Sequence, residues 1–329
     1  MDDVAKTAEK IRSGDRRTLS RAITLVESLR SDHRSRALEL LEACGTDRQA
    51  LRIGLSGTPG VGKSTFIESF GLMLTRMGLR VAVLAVDPSS SRSGGSILGD
   101  KTRMAYLARD PNAFIRPSPS QAQLGGVARR TRDAVHLCEA AGFDVVLIET
   151  VGVGQSETMV AHMSDLFILL LAPAGGDELQ GVKRGIMEIA DMIVVNKADG
   201  DLAPQARRTC ADYSGALRLL RKRPQDPDGF PKALTVSAIE EAGLEQVWSE
   251  IQSLSEWRKK SGIWDESRQK QSMYWFSEEV RTQLLEKISS DPALSQQLKI
   301  EEASVARGDT TPAQAASRIV EQFAGLKNA

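Results

Sequence analysis

The sequence predicts an α/β fold with a mostly parallel central sheet flanked by helices, on three observations. From Leu51 onward, short apolar runs alternate with helical stretches. The first run, Leu51 to Ser56, leads directly into Gly-Thr-Pro-Gly-Val-Gly-Lys-Ser at Gly57 to Ser64. The residues able to do chemistry gather where later runs end, which is where a parallel sheet covered on both faces builds its ligand crevice.

Before the alternation begins, residues 1–46 read as a helical segment. Gly14 and Asp15 form a stop followed by an N-cap, and Leu19, Ile23, Val26 and Leu29 then fall on one face. Asp32 opens a further helix through Leu38 and Leu41 to Gly45. These helices are expected to pack as a collar, with a partner surface as the alternative. Residues 47–262 carry the strand signals: Leu51 to Ser56, Arg80 to Val86, Ala113 to Arg116, Asp144 to Glu149, Leu166 to Ala172, Met192 to Asn196 and Ala233 to Val236. An amphipathic stretch, Lys63 to Met77, follows the first strand and stops at Gly78.

After Gly262 the strand signals cease, and residues 263–329 read as helix divided by Pro292 and Pro312. Trp264, Met273, Trp275, Phe276, Val280, Leu284, Leu285 and Ile288 make an apolar stripe too long for a local cap. Tryptophan is enriched at interfaces, so this segment is expected to be a dimerisation arm, the alternative being cover for the preceding domain.

Composition narrows the class of function. The chain has 329 residues, 41% hydrophobic and 26% charged, in the ordinary globular range. Lys plus Arg and Asp plus Glu are both 43, so nothing draws the chain to nucleic acid or to a membrane surface. The basic run Arg218 to Arg223 reads as a solvated helix face. No apolar stretch approaches the roughly 20 residues of a membrane span, and the Met-Asp-Asp-Val start lacks the form of a signal peptide. A cytoplasmic location is expected. Cys44, Cys138 and Cys210 are widely spaced and suit reduced, packed thiols, and His33, His136 and His162 form no histidine cluster for zinc or nickel.

The eight residues Gly57, Thr58, Pro59, Gly60, Val61, Gly62, Lys63 and Ser64 match the phosphate-binding loop of P-loop NTPases. Glycines let successive N–H groups converge on a phosphate, Lys63 reaches the β- and γ-phosphates, and the Ser64 hydroxyl can ligate Mg2+. The lysine opens a helix whose N-terminal partial charge adds to the same anion site. Asn196-Lys197-Ala198-Asp199 follows the apolar run ending at Val195 and selects the base. Guanine offers N1–H and N2–H to one carboxylate, which suits Asp199, while the Asn196 amide reaches the purine edge and the Lys197 stem covers the ring. Adenine would leave that carboxylate without donors. Val236-Ser237-Ala238, at the next strand end, completes a site for GTP or GDP in which Ser237 and Ala238 belong.

A third element lies between these two. The strand Asp144 to Glu149 ends in a carboxylate and continues as Thr150-Val151-Gly152. Glu149 can hold Mg2+ through a water, and the Gly152 N–H can meet the γ-phosphate. Val153 stands where Ras-type GTPases carry the glutamine that orients the attacking water, and Gln155 lies two residues further on. Valine cannot orient water, so unassisted hydrolysis is expected to be slow. Two loops can supply the missing group. One runs from Asp87, the preferred second carboxylate at the metal, to Asp100, which either orients water or caps a helix beginning at Lys101. The other is Gly175 to Gln180, leading to Lys183 and Arg184, which as an ordinary exposed turn would look similar.

Together with Asp-Pro-Ser-Ser-Ser at 87–91, Glu-Thr-Val-Gly-Val-Gly-Gln-Ser-Glu at 149–157 and Gly-Gly-Asp-Glu-Leu-Gln-Gly-Val-Lys at 175–183, these motifs resemble the MeaB family of G-protein chaperones. That family includes methylmalonic aciduria type A proteins and proteins formerly labelled ArgK, and the resemblance runs through nearly the whole chain. It implies a homodimeric GTPase of the signal-recognition/MinD/BioD class that attends adenosylcobalamin-dependent methylmalonyl-CoA mutase, gating cofactor loading and protecting or reactivating the enzyme. By the same resemblance Gly57 to Thr65 is the phosphate loop, Asp87, Asp100 and Glu149 serve metal binding and hydrolysis, and Asn196 to Asp199 reads the base. Asp177 to Lys183 becomes an extra switch loop that senses the mutase. A nickel-insertion maturation GTPase would carry a His/Cys metal site that the sequence lacks, and an ATP-dependent kinase linked to amino-acid transport conflicts with Asp199. A relict nucleotide site conflicts with intact Lys63, Ser64 and Glu149.

Overall fold

A computed structural model of the chain describes residues 2–28, 30–86, 104–117, 124–150, 156–173, 184–220, 222–223 and 225–325. They fall into two compact units, Met1–Gln271 and Ser272–Ala329.

The first unit opens with three helices, α1 (Asp2–Arg12), α2 (Arg16–Glu27) and α3 (Ser31–Cys44). Asp15 caps α2 by accepting from the Thr18 N–H at 2.6 Å, and Leu19, Ala22, Ile23 and Val26 form its buried face. Helix α3 starts one residue before the expected Asp32 and ends at Gly45, whose φ is +71°.

Seven strands follow: β1 (Leu51–Ser56), β2 (Val81–Val86), β3 (Ala113–Arg116), β4 (Val145–Thr150), β5 (Leu166–Leu171), β6 (Met192–Val195) and β7 (Lys232–Thr235). They form one sheet in the order β3-β2-β4-β1-β5-β6-β7, and every neighbouring pair is parallel. Helices α4 (Lys63–Arg76), α5 (Leu124–Ala140), α6 (Ser156–Ala161), α7 (Arg184–Ile189), α8 (Ala203–Leu219) and α9 (Leu244–Lys260) accompany it. Strands β2, β4 and β5 are buried at every residue, the condition that makes their sequences continuous apolar runs rather than alternating ones. Arg80, expected to start the second strand, sits just outside it: its N–H donates to Asp144 Oδ2 at 2.7 Å, and its guanidinium lies 4.8 Å from the Phe143 ring centre. The collar helices are tied to this body where Arg34 donates to Asp133 at 2.9 Å and where Arg116 pairs with Glu27.

The core lies where α4 and α9 meet the sheet. Phe66 and Phe70 stack at 5.3 Å, and Trp248 meets Phe70 edge-on at 6.2 Å. At the strands' N-terminal end, two carboxylates act as hubs. Asp165, with a side chain 3% exposed, accepts from the Arg52 N–H at 2.9 Å, from Arg52 Nη2 at 2.6 Å and from Arg268 Nη2 at 2.6 Å. Burial pushes its carboxyl up, and Arg52 and Arg268 together outweigh that and hold it below the ordinary aspartate range. Asp191 accepts from Arg258 at 2.6 Å and from Arg223 at 2.8 Å, and Asp226 joins the same group. The basic run Arg218 to Arg223 is therefore not one helix face. Helix α8 ends at Leu219, and Arg223 turns inward because two buried carboxylates need its charge.

Cys44 and Cys138 are buried free thiols and Cys210 is half-buried; burial pushes the Cys44 thiol up to about 11. Among the described residues, no helix is long and apolar enough to cross a membrane.

Helix α10 (Ile263–Ser290) begins in the first unit. The second unit contains the rest of it with α11 (Pro292–Arg307) and α12 (Pro312–Gly325). Asp291 caps α11 by accepting from the Ala293 and Leu294 N–H groups, and prolines occupy the first positions of α11 and α12, where a missing N–H costs nothing. Met273, Phe276, Val280 and Leu284 are exposed at helical spacing along α10.

Replacing Asp165 by alanine removes the buried carboxylate that the Arg52 and Arg268 guanidinium groups share, so Asp165→Ala is expected to lower stability by about 3 kcal/mol in urea unfolding. Because the folded carboxyl titrates low, its contribution is complete above about pH 4 and fades as pH falls further, so the gap between wild type and variant narrows in acid.

Candidate functional site

Strand β1 lies at the middle of the sheet between β4 and β5, so the chain leaving its C-terminal end enters the crevice between strands that run to opposite sides. Gly57 is the first residue of that exit. A Cβ there would stand 2.3 Å from the Leu170 carbonyl oxygen of β5, so the loop can lie this close only as glycine. Gly60 and Gly62 adopt φ of +87° and +86°, and Gly62 caps α4 in the left-handed region. Lys63 thus becomes the first residue of the helix, with Ser64 and Thr65 in its opening turn. Its Nζ donates to the Gly57 carbonyl at 2.6 Å. Burial pushes the ammonium below the ordinary lysine range, and Glu149 and Glu157 pull it back up.

Three further strand ends close on this loop. Glu149, near the end of β4, is 4% exposed and paired in register with Leu55 of β1. Thr150 follows it and donates to Ser56 Oγ at 3.0 Å, joining the ends of β4 and β1. Beyond β6, Asn196 is 2% exposed and bridges two segments. Its Nδ2 donates to the Val61 carbonyl at 3.0 Å, and its Oδ1 accepts from the Ala238 N–H at 3.1 Å. Lys197 holds a left-handed φ of +60°, uncommon outside glycine, and its Nζ reaches the Gly60 carbonyl at 2.6 Å. Beyond β7, the Ser237 hydroxyl donates to Asp199 Oδ2 at 2.5 Å and accepts from the Glu240 N–H at 3.2 Å.

The structure therefore brings together Gly57, Thr58, Pro59, Gly60, Val61, Gly62, Lys63, Ser64, Thr65, Glu149, Asn196, Lys197, Asp199, Ser237 and Ala238 at the C-terminal ends of β1, β4, β6 and β7. Asp87, Asp100, Gly152 and Lys183, with Val153 and Gln155, lie outside the described residues. Glu157 was given no role from sequence, although it belongs to the Glu149 to Glu157 motif. It is 1% exposed in the first turn of α6, and its charge acts on Lys63. The available signal was its place in the sequence, eight residues after Glu149 at the end of the same motif.

A cradle with a lysine at its helix start, a buried carboxylate beside it and a bridging asparagine is arranged for a nucleoside polyphosphate. The model of the family described as methylmalonyl Co-A mutase-associated GTPase MeaB matches residues 19–293. The chain belongs to this family. It is 50% identical to a probable GTPase of Mycobacterium tuberculosis, over 97% of this chain and 95% of that one. It is 47% identical to a Mus musculus protein called methylmalonic aciduria type A homolog, mitochondrial, over 94% of this chain and 77% of that one. The crystal structure of a LAO/AO transport system kinase resembles it with a TM-score of 0.74 and 38% identity, covering 97% of each chain. As a member of the MeaB family the chain is a GTPase, with GTP and GDP as its bound nucleotides.

The close approach of Gly57 to β5 gives a test of the cradle. Gly57→Ala is expected to weaken GDP binding by about tenfold or more, since the methyl group forces the loop off the Leu170 carbonyl. Titration calorimetry on the folded variant measures it.

Proposed function

We propose that this GTPase is a chaperone of adenosylcobalamin-dependent methylmalonyl-CoA mutase, using GTP binding and hydrolysis to gate cofactor loading and to protect or reactivate the enzyme. The match of the family model over residues 19–293 carries the reading, because that family is described by its association with the mutase. The mouse relative carries the name methylmalonic aciduria type A homolog, which points to the same methylmalonyl chemistry.

In this reading the nucleotide displaces contacts that the protein now makes with itself. The Lys63 ammonium leaves the Gly57 carbonyl for the β- and γ-phosphates. Asp199 exchanges the Ser237 hydroxyl for guanine N1–H and N2–H, while the Lys197 stem covers the ring. A hydroxyl at Ser64 and a buried carboxylate at Glu149 are hard oxygen donors that suit Mg2+, and Asp87 would complete the set. Held by these residues, the ion would supply positive charge to offset the negative charge that develops on the phosphate oxygens during transfer. The Gly152 N–H meets the γ-phosphate. With valine at 153 no side chain there orients water, so hydrolysis is slow alone, and Asp100 and the loop carrying Lys183 complete the site when the mutase docks.

The residue ranges 1–46, 47–262 and 263–329 correspond in this proposal to a helical collar, the GTPase domain and a dimerisation arm. The exposed stripe Met273, Phe276, Val280 and Leu284 supports a homodimer, and the cytoplasm is the proposed setting.

GTP turnover is expected to rise about tenfold or more on adding methylmalonyl-CoA mutase, with Lys183→Ala blunting the rise while sparing the basal rate. A rate indifferent to the mutase, alongside unassisted cofactor transfer to the apo-enzyme, contradicts the chaperone role. Phe276→Glu combined with Leu284→Glu is expected to convert a dimer to a monomer in sedimentation, since each places a charge in the centre of the stripe.

A further inference from the structure

Ala238 is held on both sides of its backbone. It is 2% exposed, its N–H donates to Asn196 Oδ1 at 3.1 Å, and its carbonyl accepts from the Ser69 hydroxyl at 2.6 Å. Ser69 lies on α4, the helix that starts at Lys63, and is separated from Ala238 by 169 residues of sequence. Arg76, seven residues further along α4 and so on the same face, reaches Glu241 of the same loop at 2.6 Å. That pair is exposed on both sides and contributes little, whereas Ser69 supplies a donor to the carbonyl of a buried residue. The loop is further closed by the paired N–H and carbonyl groups of Ser237 and Ala242, each 3.0 Å apart.

We infer that Ser69 is a positioning residue for recognition of the nucleotide base: its hydroxyl fixes the Ser237–Ala242 loop to the helix that presents Lys63. The inference rests on the reading above in which Asp199, Ser237 and Ala238 face guanine. Asp199 offers only acceptors, so guanine O6 needs a donor from elsewhere in the site, and the main-chain groups of the Ser237–Ala242 loop border Asp199 through the Ser237 hydroxyl. Their distance from the phosphate loop has to match the span of one nucleotide. The Asn196 amide sets that distance from the sheet side, and the Ser69 hydroxyl sets it from the helix side. Without the hydroxyl the Ala238 carbonyl loses its donor and the loop drifts, so the base end of the site suffers while the phosphate end does not.

The test compares two ligands, GDP and inorganic tripolyphosphate, the second of which occupies the phosphate loop and has no base. Ser69→Ala is expected to bind GDP about tenfold more weakly, one hydrogen bond's share, and to bind tripolyphosphate as wild type does. Ser69→Thr, which keeps the hydroxyl, is expected to restore GDP affinity, and thermal melting of both nucleotide-free variants confirms that they are folded. Wild-type GDP affinity in Ser69→Ala overturns the inference, as does an equal loss for both ligands or a failure of threonine to restore binding. Asp199→Asn in the same assay reports on the base reading separately. A shift there from GDP toward xanthosine diphosphate upholds that reading, and a retained preference for GDP overturns it, whatever Ser69 does.

Discussion

The amide of Asn196 is the contact on which the rest of the site depends. One side chain donates to the phosphate loop at the Val61 carbonyl and accepts from the base loop at the Ala238 N–H. An amide suits the position because it carries a donor and an acceptor on one rigid plane, whereas an ionised carboxylate would repel the carbonyl it must reach. Since Asn196 is 2% exposed, both bonds form away from competing water, where leaving either partner unmet costs more than the bond itself contributes. Lys197 adds a second tie to Gly60 from an uncommon left-handed backbone, a strain that two adjacent tethers can sustain.

That bridge is possible because of the order in which parallel strands are laid down. With β1 between β4 and β5, the phosphate loop emerges where Glu149 approaches from one side and Asn196 and Ser237 from the other. Carboxylate hubs at Asp165 and Asp191 pin the opposite ends of the same strands to α9 and α10 through buried arginines. Such pairs are poor sources of net stability but strict about register, which suits a sheet whose strand ends must meet within one hydrogen bond. The chemistry-bearing end is therefore fixed, and in the proposed function the decision to hydrolyse falls to the loops that bring Asp87, Asp100, Gly152 and Lys183.

Much of this was legible in the residues, for identifiable reasons. Strands buried on both faces have no polar side to hide, so runs such as Leu166 to Leu171 announce themselves, and prolines at 292 and 312 mark helix starts without ambiguity. The phosphate loop and Asn196 to Asp199 were readable because backbone curvature and base chemistry allow few alternatives at those positions. What escaped depends on distant partners. Arg223 looked like one more exposed basic residue because nothing local reveals that Asp191 and Asp226 wait for it. Ser69 gives no signal within a helix, where serine commonly bonds its own turn, and its role follows only from a carbonyl far along the chain. Glu157 was visible in its motif but not its burial against the charge of Lys63.

The central claim is that phosphate loop and base loop are one unit, joined through the Asn196 amide. Hydrogen exchange of the nucleotide-free protein tests it most directly, comparing wild type with Asn196→Ala across residues 57–62 and 237–242. The account predicts protection of both segments in wild type and its joint loss in the variant, with exchange in β2 and β4 unchanged. Independent behaviour of the two segments, or protection that survives the loss of the amide, would contradict it.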